Sequence, residues 1–245
     1  LSFCTFPLGF LIGAFGTLIG DGGGFILVPI LLLVYPDEST ELITSISLAV
    51  VFFNAFSGSV AYSRMKRIDY KSGLIFAVAT IPGAILGALS TAYVPRHLFD
   101  GLFGVLMILT GAFLWFSAKD HHGHALADAS ESSRSATLAT WTVRDFVDKD
   151  GAHHHYAYNP IVGIVISVFV GYISSVLGVG GGFIHVPALT GLLNFPVHVA
   201  TATSHFVLAV MALTGTAVHI ATGVFAHGAR RAAVLAVGVV LRAQA

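Results

Sequence analysis

The sequence predicts an all-α, polytopic transmembrane helical bundle built from two tandem repeats with glycine-broken first helices. Three observations carry that reading. Hydrophobic residues make up 56% of the chain and charged residues 10%, against roughly a quarter charged in a typical soluble domain, which leaves too little polar surface to clothe a water-soluble fold. Long apolar runs alternate with short polar turns. The run Gly20-Asp21-Gly22-Gly23-Gly24-Phe25-Ile26-Leu27-Val28-Pro29 returns, nearly letter for letter, as Gly178-Val179-Gly180-Gly181-Gly182-Phe183-Ile184-His185-Val186-Pro187.

Phe6 to Tyr35 as one straight helix would be about 45 Å long against a hydrocarbon core of about 30 Å, so it must tilt strongly or break. Asp21 and the three glycines mark the break, and Pro29, which has no N–H to donate, adds a second weak point. Pro36 to Thr40 is a polar turn in which Ser39 or Thr40 can cap a second span over 42–63. Arg64, Lys66, Arg67 and Lys71 crowd the next loop, and the positive-inside rule places that loop in the cytoplasm. A third span covers 73–93, where Pro82, Gly83 and Gly87 permit a kink and close helix contact. A turn containing Pro95 and Arg96 leads to a fourth span over 98–116, with Trp115 as an interfacial anchor.

Residues 1–118 thus read as a first, four-helix membrane repeat. Residues 119–159 are polar and His-rich (His121, His122, His124, His153, His154, His155) and read as a solvated cytoplasmic linker. Leu138, Trp141 and Phe146 suggest at most one amphipathic turn there, lying on the membrane surface. The second membrane repeat, 160–245, has spans over 160–192 and 197–222 and the start of a third at 232. By the repeat register it is incomplete, with about three helices.

The register rests on more than the glycines. Gly20/Gly178, Gly13/Gly171 and Pro29/Pro187 share one offset, and Ser47/Ser204 and Gly58/Gly215 share an offset one residue shorter. Internal duplication of this kind is common in transporters. Four crossings per unit would set the units parallel, with both basic loops (64–71 and 230–231) in the cytoplasm, the arrangement favoured by the charges. A re-entrant first segment would instead invert one unit against the other.

A break in a membrane helix exposes N–H groups at the start of its second half, where the dipole is equivalent to roughly half a positive charge. Gly22, Gly23 and Gly24, with Gly180, Gly181 and Gly182, therefore form candidate anion-binding turns to which a ligand can approach closely. Close helix packing through small residues is the competing explanation. Ser47, Thr203 and Ser204 can add hydroxyl donors, or serve only as interhelical hydrogen bonds. Asp21 is an acid well inside an apolar span, where a charge is costly, so it either carries a proton or caps the second half-helix. His185 and His205 are further proton-coupling candidates. With His219 they leave open a metal-binding intramembrane protein or metalloenzyme, although their spacing follows no compact ligand motif. The single cysteine, Cys4, excludes an intrachain disulfide, and the absence of net charge gives no nucleic-acid footprint.

A tandem Gly-x-Gly-Gly-Gly-Phe-x-x-Val-Pro, each copy followed by a Thr/Ser-rich helix (Thr44-Ser45-Ile46-Ser47; Thr201-Ala202-Thr203-Ser204) and by Gly58 or Gly215, resembles the sulfite exporter TauE/SafE family. The resemblance implies a multi-pass secondary transporter of the bacterial inner membrane for sulfite, thiosulfate, sulfonates or related small sulfur-containing anions. It implies no enzymatic activity, cofactor or metal. The first copy departs by placing Asp21 where the family generally has an apolar residue. Expected partners are the anion and the lipid bilayer, with a homo-oligomer left open and no nucleic acid; an anion channel built on the same glycine sites is the alternative mechanism.

Overall fold

The computed structural model describes residues 22–120, 141–149, 151, 153–225, 232–233 and 235–236. Among them are helices α1 (Gly24–Val34), α2 (Thr40–Arg64), α3 (Tyr70–Thr91) and α4 (Arg96–Asp120), strands β1 (Thr142–Val147) and β2 (His153–Tyr158), and helices α5 (Pro160–Leu177), α6 (Gly182–Leu192) and α7 (Val197–Ala221). Local chemistry sets several boundaries. Ser39 caps α2 by accepting from Leu42 N–H at 3.2 Å, Asp69 caps α3 through Lys71 and Ser72 N–H, and Asn159 caps α5, where Pro160 takes a first-turn position needing no donor.

The bundle buries many polar side chains among its apolar core and turns apolar faces outward. Thr44, Ser47, Asn54, Thr80, Ser174, Ser175, Thr203, Ser204, His185 and His205 are buried, while Leu74, Val78, Leu86, Leu89, Val165 and Phe169 stand exposed on the outer faces of α3 and α5. In water that surface would aggregate; in lipid it is the expected one. Helices α2, α3, α5 and α7 are long and apolar enough to cross a membrane.

The repeat is visible in the elements. Helices α1 and α6 have 11 residues each, and α2 and α7 have 25 each, at matching register positions. Their contacts are reciprocal. A Cβ on Gly58 would lie 2.6 Å from the His205 ring, and one on its counterpart Gly215 would lie 2.9 Å from Leu48, the counterpart of His205. Because 58 faces 205 while 48 faces 215, α2 and α7 run antiparallel. Phe25 and its counterpart Phe183 meet in a tilted ring contact, 5.5 Å between ring centres.

This geometry corrects the parallel arrangement favoured by the loop charges. The cause lies in the first segment of the second unit, which is not one broken span. Helix α5 descends beside α3, with Gly163 against Phe76, Gly171 against Thr80, and Gly87 against Tyr172 and Ser175. It ends at Gly178, and α6 then folds back along it: His185 meets Ser167 at 3.3 Å, and Leu193 lies 3.3 Å from where a Gly163 Cβ would be. Gly178 (φ 67°) and Gly180 (φ 82°) supply the left-handed conformations that reverse the chain. Helix α5 and helix α6 are therefore a re-entrant hairpin, and α7 starts at the end where α5 began.

A second correction concerns residues 119–159. Helix α4 continues to Asp120, and residues 142–158 form an antiparallel hairpin pairing Thr142 with Tyr158 and Val147 with His153. Residues 142–147 are thus a strand and not an amphipathic turn; Leu138 lies outside the described residues. Tyr156 and Tyr158 face inward, packing with Phe76, Leu189, Leu193 and Phe195.

Close backbone approach makes α3 and α5 intolerant of side chains at their contact. A Cβ on Gly83 would collide with the Val168 carbonyl, whereas one on Gly101 of α4 meets nothing within 4 Å. Gly83→Ala is expected to destabilise the protein by about 1–3 kcal/mol through overpacking, and Gly101→Ala to be neutral or stabilising by roughly 0.5–1 kcal/mol through helix propensity. Thermal unfolding of both variants in detergent checks the pair; equal melting temperatures would contradict this packing.

Candidate functional site

The two glycine breaks meet inside the bundle. Gly24, the first residue of α1, lies directly against the carbonyls of Gly178 and Val179, so that no side chain fits between them. Gly22 is wedged between Val51 of α2 and Leu208 of α7, with 2.9–3.0 Å from its Cβ position to either side chain. Val51 and Leu208 are themselves counterparts in the repeat. Gly22 (φ 77°) and Gly180 (φ 82°) also adopt the same left-handed conformation at matching positions.

Polar groups surround the second break. Ser47 Oγ donates to the Gly178 carbonyl at 2.6 Å, tying α2 to the turn. Helix α6 begins at Gly182 with Gly181 as its N-cap, and no side chain caps it. The first N–H groups of a helix have no partner within it, and the dipole there favours negative charge. Ser174 is 1% exposed, and its Oγ stands 2.6 Å from where a Gly181 Cβ would be, with no hydrogen-bond partner. Ser175 Oγ, beside Gly215, and Thr44 Oγ1, on a residue whose methyl and backbone face Gly178, are likewise buried without partners. Near this turn the start of α6 thus carries no side-chain cap, and three hydroxyls are buried without partners.

The sequence-derived candidates divide. Gly22, Gly23, Gly24, Gly180, Gly181, Gly182 and Ser47 converge on the paired breaks, with Ser47 already engaged by the turn. Thr203 lies elsewhere: its Oγ1 accepts from Asp69 N–H at 3.2 Å. Ser204, next to it on α7, is buried with its hydroxyl unpartnered. His185 meets Ser167, and His205 Nδ1 lies 3.1 Å from the Thr201 carbonyl with its ring 5.2 Å from that of Tyr62. His219 Nδ1 is 3.9 Å from Glu41. The three histidines have separate neighbours, and among the described residues no group of three His, Cys, Asp or Glu side chains is placed to hold a metal. Asp21, His121, His122 and His124 lie outside the described residues.

Ser174 and Ser175 are absent from the sequence-derived set. Their signal was present: two serines one turn before the Gly178 break, in a helix otherwise almost wholly apolar. A second polar group also went unread. Asp69 Oδ2 accepts from Tyr156 OH at 2.8 Å and from Ser72 Oγ, and Arg144 Nε lies 3.3 Å from it. Tyr158 OH donates to Ser72 Oγ at 2.7 Å. Burial, reinforced by the negative charge of Asp69, holds the Tyr156 phenol well above its ordinary range, so it remains a donor. Alternation in Tyr156-Ala157-Tyr158 and the Asp150-Gly151 turn signalled this hairpin.

Residues 5–245 match the family model described as sulfite exporter TauE/SafE. The chain is 34% identical over 222 residues to the probable membrane transporter protein YunE of Bacillus subtilis (strain 168), covering 88% of this chain and 77% of that one. It is 25% identical over 213 residues to a probable membrane transporter protein of Methanocaldococcus jannaschii, covering 85% and 68%. A probable membrane transporter protein of Xylella fastidiosa (strain 9a5c) is 27% identical over 192 residues, covering 78% and 64%. No solved structure matches the chain. With a family match along nearly its whole length, over a helical bundle with apolar outer faces, this chain belongs to the sulfite exporter TauE/SafE family of membrane proteins.

Proposed function

We propose that the chain is a secondary transporter moving sulfite, or a related small sulfur-containing anion, across the bacterial inner membrane by alternating access. The observation that supports this most is the uncapped start of α6 beside the unpartnered Ser174 hydroxyl, set against the other unit's glycine break. Gly180 and Gly181 present N–H donors to the anion, while the Gly182 N–H is taken by the Gly180 carbonyl, and Ser174 and Ser175 orient the anion's oxygens. Gly22, Gly23 and Gly24 form the matching half. Ser47 holds the turn, and Ser204 supplies a hydroxyl from α7. Antiparallel counterpart helices give each half the same surroundings in opposite senses, the arrangement used by alternating-access carriers. Asp21, His185 and His205 are the proposed coupling groups, and the basic residues 64–71 place the hairpin end in the cytoplasm.

Charge narrows the substrate. No Lys or Arg occurs in residues 1–63 or 160–229, which include α1, α5, α6, α7 and nearly all of α2. The positive potential must then come from two helix starts of about half a charge each, together roughly one unit. Such a site balances a monoanion, and hydrogensulfite and alkylsulfonates rank ahead of sulfate and thiosulfate. In proteoliposomes, saturable sulfite flux is expected, with methanesulfonate competing at least about tenfold better than sulfate, a difference of about 1.4 kcal/mol. Conductance that never saturates would favour a channel, and absence of any sulfur-anion flux would remove the substrate class.

Two serine variants separate binding from scaffolding. Ser174→Ala is expected to raise the KM for sulfite roughly 10- to 100-fold, by losing a hydrogen bond to a charged group. Ser47→Ala leaves the buried Gly178 carbonyl without its partner and is expected to cost about 1–3 kcal/mol of stability. Transport assays and melting curves of the two variants read this directly; a Ser174→Ala protein with unchanged KM would exclude that hydroxyl as a ligand.

A further inference from the structure

The segment joining the two repeats does more than connect them. Strand β2 seats Tyr156 and Tyr158 over α3 and over the corner between α6 and α7, where Phe195 lies 4.4 Å from the Tyr156 ring and 5.2 Å from that of Tyr158. Phe76 of α3 meets Tyr158 at 5.8 Å. Beneath this aromatic contact both phenols and Arg144 reach the start of α3, through Asp69 and Ser72. The Asp69 backbone N–H in turn bonds to Thr203 of α7. The hairpin edge is also fastened to the α2–α3 loop, with Lys149 N–H donating to the Met65 carbonyl at 3.2 Å and Arg67 pairing with Asp148 at 3.5 Å. Elements of the first unit (α2–α3 loop, α3) and of the second (α6–α7 corner, α7) are thereby held together at one end of the bundle.

Away from the hairpin, polar contacts between the units include Ser47 Oγ to the Gly178 carbonyl at 2.6 Å, Thr91 Oγ1 to the Val176 carbonyl at 3.5 Å and His219 to Glu41 at 3.9 Å. Arg96 binds the carbonyls of Glu38 and Leu32, within its own unit.

We propose that the 142–158 hairpin is a gate: a clasp that keeps its end of the bundle shut and must lift from α3 and Phe195 for the site to open on that side. This rests on the alternating-access reading above. The chemistry suits a clasp that opens repeatedly. A buried carboxylate–guanidinium pair gains little net stability, because desolvation offsets the attraction, yet its geometry is demanding. When the hairpin lifts, Asp69, Arg144 and both phenols regain water, so opening leaves no stranded charge, and closing restores one arrangement only. The Asp69 cap of α3, made to Lys71 and Ser72 N–H, stays with the helix in both states.

Two measurements in a Cys4→Ser background test the gate. In the first, Ser204→Cys reports access to the interior of α7, by the rate at which a membrane-impermeant maleimide labels it from the hairpin side. Tyr156→Phe/Tyr158→Phe is expected to raise that rate about tenfold and to leave labelling from the opposite side unchanged; rates within about twofold of the parent overturn the proposal. The second needs no weakened hairpin. Met65→Cys/Lys149→Cys places two cysteines on backbones already in contact, within reach of disulfide geometry. Oxidation is expected to reduce sulfite flux at least about tenfold, with full recovery in reductant; equal flux in both states overturns the gate. If neither state of the disulfide variant nor the parent carries sulfite, the transport reading fails, and the labelling rates still decide whether the hairpin controls access.

Discussion

Main-chain N–H and C=O groups inside an apolar bundle have no water to turn to, and this structure is organised around the two places where its helices interrupt their own hydrogen bonding. At Gly178 the exposed carbonyl takes the Ser47 hydroxyl from the other unit. The same turn presses against Gly24 so closely that only glycine fits. Each break is thus completed by the opposite repeat. The hydroxyls of Ser174, Ser175 and Thr44 stay buried without partners.

The inverted relation of the units follows from the same turn. Left-handed glycines at 178 and 180 send α6 back beside α5, so one long apolar segment makes a hairpin and α7 begins at the end α5 came from. Equivalent contacts then recur across an approximate two-fold: Phe25 meets its counterpart Phe183, and the Gly58–His205 contact is matched by Gly215–Leu48. Symmetry of backbone coexists with asymmetry of chemistry, since His205 occupies the place of Leu48 and His185 that of Leu27. The inter-repeat hairpin adds a further asymmetry by fastening one end through Asp69, Arg144 and Tyr156.

Much of this was legible in residues alone. Spans expected at 42–63, 73–93 and 98–116 appear as Thr40–Arg64, Tyr70–Thr91 and Arg96–Asp120, because apolar length and flanking caps are local properties. The glycine turns were equally legible as points of close backbone approach. The direction of α6 was not, since a reversal and a tilt both begin with glycine and differ only in which helix lies alongside. Tyr156 and Tyr158 were overlooked because the surrounding polar, histidine-rich composition hides two alternating residues whose partners, Asp69 and Ser72, are remote in sequence.

By itself the sequence determined the solvent, the helices and the paired glycine turns, for these depend on composition and on spacing along one chain. Only tertiary structure decided that the repeats are inverted, that Ser174 and not Thr203 stands at the break, and that the supposed linker is bound to both units. Those outcomes depend on which backbone groups find partners across the bundle, and no local pattern records the partner.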